Sequence, residues 1–268
     1  MSTPPFKILD PMQRLQSLHG RCAFAVMAKA PVPGKVKTRL SPPLTPTEAA
    51  LLNAAFLRDT LASLGAAAQQ SAASCVVSYT PAGQESAFIG ILPEHTLLLP
   101  QRGDGFGERL SATANDLFLC GFSAVCLIDS DSPTVPTAEY VRAAEILLGS
   151  AGGQVAVLGR SEDGGYYLLG LAQPQPRLFE EITWSTAHVA DETEQRAHEA
   201  GVQLIHLARW YDVDDAHSLD RLQRELAGDP LVPRGYEAPH TRQLLQTLES
   251  LAPVHGGPRE EDVPHARG

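Results

Sequence analysis

Short apolar runs rich in small and β-branched residues alternate along this chain with longer stretches where leucine and alanine recur at helical spacing. The runs at 22–28, 74–80, 96–99, 125–128, 154–158, 166–171 and 202–207 read as strands. The stretches at 45–64, 108–119, 137–148, 191–200, 216–226 and 241–251 read as helices. Local chemistry marks several ends. Thr45-Pro46-Thr47-Glu48 offers an N-cap, a proline at the first helical position and a capping-box glutamate. Gly201 ends the stretch before it. Strands alternating with helices predict an α/β domain with a mainly parallel central sheet flanked by helices. One such core accommodates residues 21–228. Residues 1–20 show no period and read as an N-terminal extension. Residues 229–268 carry the last helix and a Gly-, Pro- and charge-rich tail expected to be disordered.

In an open parallel sheet, ligands bind beyond the carboxyl ends of the strands, so the strand exits hold the candidate chemistry. The run 125–128 opens into Asp129-Ser130-Asp131-Ser132-Pro133, where side chains two apart on an extended chain point the same way. Asp129 and Asp131 are thus placed to reach one hard cation together. The first strand exits into Ala28-Lys29-Ala30-Pro31-Val32-Pro33-Gly34-Lys35-Val36-Lys37-Thr38-Arg39, a loop by its prolines and glycine. It is not a P-loop, because Lys29 stands where that motif needs glycine and Val36 where it needs Ser or Thr. The strand at 202–207 leads to Asp212, Asp214 and Asp215. Parallel strands would bring these three exits to one edge of the sheet. That set suits transfer from a nucleotide-activated donor: Mg2+ or Mn2+ on the carboxylates would bridge phosphate oxygens, and the lysines and arginine would neutralise the remaining charge.

Two further stretches add candidates. Gly103-Asp104-Gly105-Phe106-Gly107 has the wrong spacing for a dinucleotide fingerprint and reads as a glycine-lined pocket for base or ribose, or as a turn. In Asp163-Gly164-Gly165-Tyr166-Tyr167 the paired glycines admit close backbone approach, with the tyrosines set to pack on a sugar or acceptor. Trp184-Ser185-Thr186 reads as the acceptor side or as a helix entry.

The 268 residues carry 21 Lys and Arg against 31 Asp and Glu, a formal charge of −10. That balance argues against nucleic acid as a partner. It also throws the loop into relief, since three of only four lysines (Lys29, Lys35, Lys37) fall within nine residues. An anionic ligand accounts for that concentration. No apolar run reaches the length of a membrane span, and the first 20 residues lack a signal-peptide pattern; a cytoplasmic protein is expected. The four cysteines have no metal-ligand spacing and read as buried thiols. No Ser-His-Asp or Cys-His signature calls for a covalent nucleophile. The oligomeric state is open, and a homodimer is compatible with the sequence.

Six ordered segments resemble the nucleotide-diphospho-sugar transferase superfamily of GT-A fold, and more closely the bacterial DUF2064 family of arsenosugar-biosynthesis-type glycosyltransferases. They are AKAPVPGKVKTRL (28–40), QRGDGFGERL (101–110), LIDSDSP (127–133), EDGGYYLLGL (162–171), WST (184–186) and YDVDD (211–215). The resemblance implies that Asp131 is the central metal-site aspartate, with Asp212 or Asp214 as its partner. It also implies that Lys29, Lys35 and Arg39 face phosphate. Glycine is usual in this family where this chain has Asp129.

The expected activity is metal-dependent glycosyl transfer from a nucleotide-diphospho-sugar to a small acceptor. Lys35 and Arg39 would assist the leaving phosphate, and for an inverting transfer Asp163 would be the acceptor base. Nucleotide and phosphate contacts are expected from Ala28, Lys29, Gly34, Lys37, Gln101, Gly103 and Arg109 as well. Acceptor contacts are expected from Gly164, Gly165, Tyr166, Trp184, Ser185 and Thr186. The KTRL segment is also similar to the loop of guanylyltransferases acting on phosphorylated small acids, so nucleotidyl transfer with pyrophosphate release is the alternative. A non-catalytic nucleotide-binding module would keep the loop yet lack a complete metal site.

Overall fold

The strands, in chain order, are Lys7–Ile8 (β1), Cys22–Lys29 (β2), Ala73–Thr80 (β3), Leu97–Pro100 (β4), Ala124–Ile128 (β5), Val155–Arg160 (β6), Tyr166–Leu171 (β7) and Gln203–His206 (β8). The structure, a computed structural model, describes residues 6–93, 96–150 and 153–251. Among these the helices are Pro46–Gln70 (α1), Phe106–Cys120 (α2), Thr137–Gly149 (α3), Val189–Glu199 (α4), Ala216–Ala227 (α5) and Pro239–Leu251 (α6).

The strands form one sheet in the order β1-β4-β3-β2-β5-β7-β6-β8. All pairings are parallel except those of β7, which runs against both β5 and β6. The α/β, mainly parallel, GT-A-like architecture expected from the sequence is the one observed.

Period-two alternation divides the core into two layers. Phe24 and Val26 of β2, with Cys126 and Ile128 of β5, face Leu52, Phe56 and Leu61 of α1 and Tyr140 of α3. Ala23 and Ala25, with Val125 and Leu127, face Leu110 and Leu117 of α2 and Ala190 of α4. Strands covered on both sides carry near-continuous apolar runs, which is why β2 and β5 are conspicuous in the sequence. Cys22, Cys120 and Cys126 are free thiols buried in these layers.

The capping box of α1 forms as read: Thr45 Oγ1 accepts from Glu48 N at 3.3 Å, and Glu48 Oε2 accepts from Thr45 N at 2.7 Å. The helix runs past Leu64 to Gln70 because a single interior glycine, Gly65, costs only about 1 kcal/mol, and buried Leu64 and Ala67 offset it. The α6 terminus has a cap that no local pattern reveals. Buried Asp59 of α1 accepts from His240 N and Thr241 N at 3.1 and 2.7 Å.

Part of the segment read as an N-terminal extension, residues 7–8, belongs to the sheet, which corrects that expectation. Lys7 and Ile8 pair with Leu97 and Leu98, and Phe6, Leu9 and Leu18 are buried. A two-residue strand is too short to show a period. The tail read as disordered, 252–268, lies outside the described residues. No described helix is long and apolar enough to cross a membrane.

Candidate functional site

The exits of β2 and β5 and the segment 211–215 meet at one edge of the sheet. β5 exits with its last apolar residue buried, and Asp129 extends the ladder by donating its N–H to Tyr167 O at 3.0 Å. Two residues on, the carbonyl of Asp131 accepts from Val213 N at 2.9 Å. That single backbone bond stitches the 211–215 segment to the β5 exit. Asp215 is spent locally, accepting from Ser218 N at 2.8 Å to cap α5.

The basic loop is pinned by Val36 and Leu40, both buried. Between them Lys37 adopts a left-handed backbone (φ 48°, ψ 39°), which turns its side chain inward. Its Nζ lies 2.7 Å from Asp131 Oδ1 and 2.9 Å from Asp214 Oδ1, and donates to Val213 O at 2.7 Å. The side chain is only 4% exposed. Lys37 therefore does not stand free to meet phosphate as expected; it is sequestered between carboxylates. Arg39 pairs with Asp214 Oδ2 and is 73% exposed.

Electrostatics follow from this packing. Burial pulls the Lys37 ammonium down, but Asp131 and Asp214 outweigh it and hold the lysine above its ordinary range. Burial would raise Asp214, yet Lys37 and then Arg39 hold it below the usual carboxylate range. Asp129 lies well above that range, through burial first and then the neighbouring Asp131. Its Oδ2 accepts from Ser132 Oγ at 2.6 Å, whereas Oδ1 is buried without a hydrogen-bond partner. Asp212 is pushed up to about 6 by burial, then by Asp163 and Asp214.

Two adjoining clefts open on this cluster. One, of about 570 Å³, is lined by Asp129, Asp131, Asp163, Asp212 and Asp214 and by Leu110, Leu127, Phe106, Tyr166 and Trp184. The second, of about 310 Å³, is lined by Lys29, Lys35, Lys37 and Arg39. They share Met27, Arg39, Asp131 and Asp214.

The apolar wall is built by close approach. A Cβ on Gly107 would lie 2.3 Å from Trp184 Nε1, so only glycine lets the indole rest on the first turn of α2. Phe106 meets the same indole edge-on at 5.4 Å. Phe106 and Gly107 were not among the expected site residues, although they lie in the Gly103–Gly107 stretch. Gly164 and Gly165 form the turn that Asp163 organises, its Oδ1 accepting from Gly165 N at 2.9 Å. Ser185 and Thr186 line the mouth, Ser185 with a left-handed backbone (φ 64°).

Five expected nucleotide contacts line neither cleft. Gln101 continues the strand ladder, donating Nε2 to Ser78 O at 2.7 Å. Gly103 forms the turn before α2 and lines a separate cavity of about 580 Å³. Arg109 donates to Asp104 O at 2.8 Å and lies over the Phe106 ring. Ala28 is buried in β2, and Gly34 turns the loop with φ 73°.

Residues 60–186 match the family model described as an uncharacterized protein conserved in bacteria, DUF2064. That segment contains Asp129, Asp131, Asp163 and Trp184, while the basic loop and Asp212 and Asp214 lie outside it. No curated protein matches the sequence. Among solved structures, the chain is similar to a protein of Desulfovibrio desulfuricans G20, provisionally described as a nucleotide-diphospho-sugar transferase. The two are 28% identical over 85% of this chain and 95% of that one, with a TM-score of 0.72. A fainter likeness, to a cytidylyltransferase from Leptospira borgpetersenii, has 10% identity over 92% of this chain and 100% of that one, with a TM-score of 0.49. It is too distant to bear on the site.

The raised Asp212 pKa gives a stability prediction. Its folded value of about 6 exceeds the ordinary 3.8, so ionisation is disfavoured in the folded state. Its favourable contribution is fullest below about pH 4 and is lost as pH rises to about 6. With chelator present, the stability of Asp212→Asn relative to wild type should increase across pH 4–6 and stay level above. Comparing the two proteins removes the opposite slope of lowered carboxylates such as Asp215. A difference independent of pH in denaturant titrations would refute the assignment.

Proposed function

We propose that this protein is a divalent-metal-dependent transferase acting on a nucleotide-activated donor, transferring a glycosyl group from a nucleotide-diphospho-sugar to a small acceptor. One observation carries the reading: a basic cleft and an acidic, aromatic-walled cleft meet at Asp131 and Asp214. The likeness to the Desulfovibrio protein supports the same donor class.

The donor set suits Mg2+ or Mn2+. All candidate ligands are hard carboxylate oxygens, and the partnerless Asp129 Oδ1 marks unmet demand for positive charge. Among the described residues no three His, Cys, Asp or Glu side chains are placed to hold a metal ion together. Mg2+ commonly needs only one or two carboxylates, completed by water and substrate phosphates. Asp131 and Asp214 would hold it, with Asp129 and Asp212 close by. When bound, the ion would offset charge developing on the departing diphosphate.

The chain's own residues divide the remaining work. Lys29, Lys35 and Arg39 bind the diphosphate and stabilise it as it leaves. Tyr166 and Trp184 orient the acceptor against the apolar wall. Asp163, with Oδ1 held by Gly165 N, keeps Oδ2 to take the acceptor hydroxyl proton as the new glycosidic bond forms. The aromatic wall limits water, the competing acceptor.

Nucleotidyl transfer is the second reading, favoured by the concentration of cations in the loop. Incubation with nucleotide-sugars and nucleoside triphosphates plus Mg2+ or Mn2+ separates the two. Nucleoside diphosphate release from a nucleotide-sugar is the expected result; pyrophosphate release would replace it with the second reading, and no turnover with any donor would count against both.

A further inference from the structure

Lys37 has no donor to spare. Its three N–H bonds are accounted for by Asp131, Asp214 and the Val213 carbonyl, and the Phe56 ring lies 5.5 Å from Nζ. Arg39 takes the other oxygen of Asp214. Both oxygens of Asp214 and one of Asp131 thus already face a cation supplied by the chain. These are the two carboxylates assigned to the metal above, and the inference rests on that reading.

We propose that Lys37 is a positioning residue and, with Arg39, a place-holding cation. The two neutralise the Asp131–Asp214 pair in the free protein and hold it together until a divalent ion competes for the same oxygens. Lys37 is too enclosed to leave for the phosphate; Arg39, exposed and lining both clefts, is the member that the ion releases toward the basic cleft. Metal alone is then weakly bound, because it must displace a charge already in place. Metal and nucleotide strengthen each other, since nucleotide accepts the arginine that metal releases. Sequestering an ammonium between two carboxylates also explains why the β2 exit needs a left-handed residue between two buried anchors.

The test is Mn2+ binding to the full chain without nucleotide, read from the paramagnetic resonance signal of free Mn2+. Lys37→Gln should bind Mn2+ at least tenfold more tightly than wild type, because two carboxylates lose their shared cation. Its melting temperature should fall in chelator and recover with Mn2+ more than that of wild type. Lys37→Arg, which keeps the charge, should stay within about threefold of wild type. Adding Asp131→Asn to Lys37→Gln should abolish the gain, which locates the ion. Arg39→Ala, at an exposed position, should tighten Mn2+ severalfold; if Lys37→Gln does not fold, this variant decides alone. Unchanged or weaker Mn2+ binding in Lys37→Gln and Arg39→Ala, with clear binding to wild type, would overturn the place-holder role and leave metal dependence standing. Absence of Mn2+ binding in every variant would remove the metal reading and this inference with it.

Discussion

Asp131→Asn is expected to lower kcat/KM by on the order of a thousandfold while the protein stays folded. The substitution conserves volume and leaves intact the bond from Val213 N to the residue-131 carbonyl, which holds the 211–215 segment in place. It removes one of the two carboxylates at the junction of the clefts. Deleting a single preorganised group that stabilises transition-state charge typically costs about 10²–10³ in rate, and here the loss also weakens the ion that does the same work. Lys37 keeps Asp214 and Val213 O as partners, so its burial remains compensated and the melting temperature should move by only a few degrees. Turnover within threefold of wild type, in a variant whose melting is unchanged, would exclude Asp131 from the chemistry.

Much of this arrangement is legible in the sequence, and the reasons it is legible are physical. A strand covered on both faces must be apolar throughout, so 22–28 and 125–128 declare themselves and their exits become candidate sites. A parallel sheet then gathers those exits on one edge, which is how Lys35, Asp131 and Asp214 share a locale despite their separation along the chain. The capping box at Thr45 is local and was readable for that reason.

What the pattern concealed depends on long-range packing or on backbone handedness. Three lysines in nine residues predict a basic loop, but not that the left-handed backbone at residue 37 aims one of them at carboxylates. The cap of α6 by Asp59 joins residues more than 180 positions apart. Gly107 reads as a loop glycine until the indole of Trp184 is seen resting on it. Gln101 and Arg109 sit in a stretch of recognisable composition, yet their side chains serve the strand ladder and the α2 entry. Composition identified the segment and only geometry assigned its members. The same distinction separates Asp214 from Asp215: adjacent and chemically identical, one faces Lys37 and the other caps a helix.

The paired glycines allow a sharper test, because they are equivalent in sequence and opposite in environment. Gly164 has φ 93°, in the left-handed half of the map, and a Cβ there would lie 2.1 Å from the carbonyl oxygen of Ala187. That oxygen belongs to the backbone of the segment carrying Trp184, and Gly164 O in turn accepts from Ala190 N at 2.9 Å. Neither partner is a flexible side-chain tip. Gly164→Ala should therefore cost about 3 kcal/mol, from backbone strain and overpacking together, and should lower transfer at least tenfold as the aromatic wall shifts. Gly165 lacks a positive φ, and its Cβ would meet only the Asp163 side chain, at 3.2 Å. Gly165→Ala should stay within about 1 kcal/mol of wild type. Lys29, Lys35 and Arg39 sit on a different loop, so Gly164→Ala should retain donor affinity while losing transfer, a split that general unfolding would not produce. Equal losses at the two glycines in denaturant titrations would show that the segment 184–187 is not seated on Gly164, and the acceptor wall would have to be sought elsewhere in the cleft.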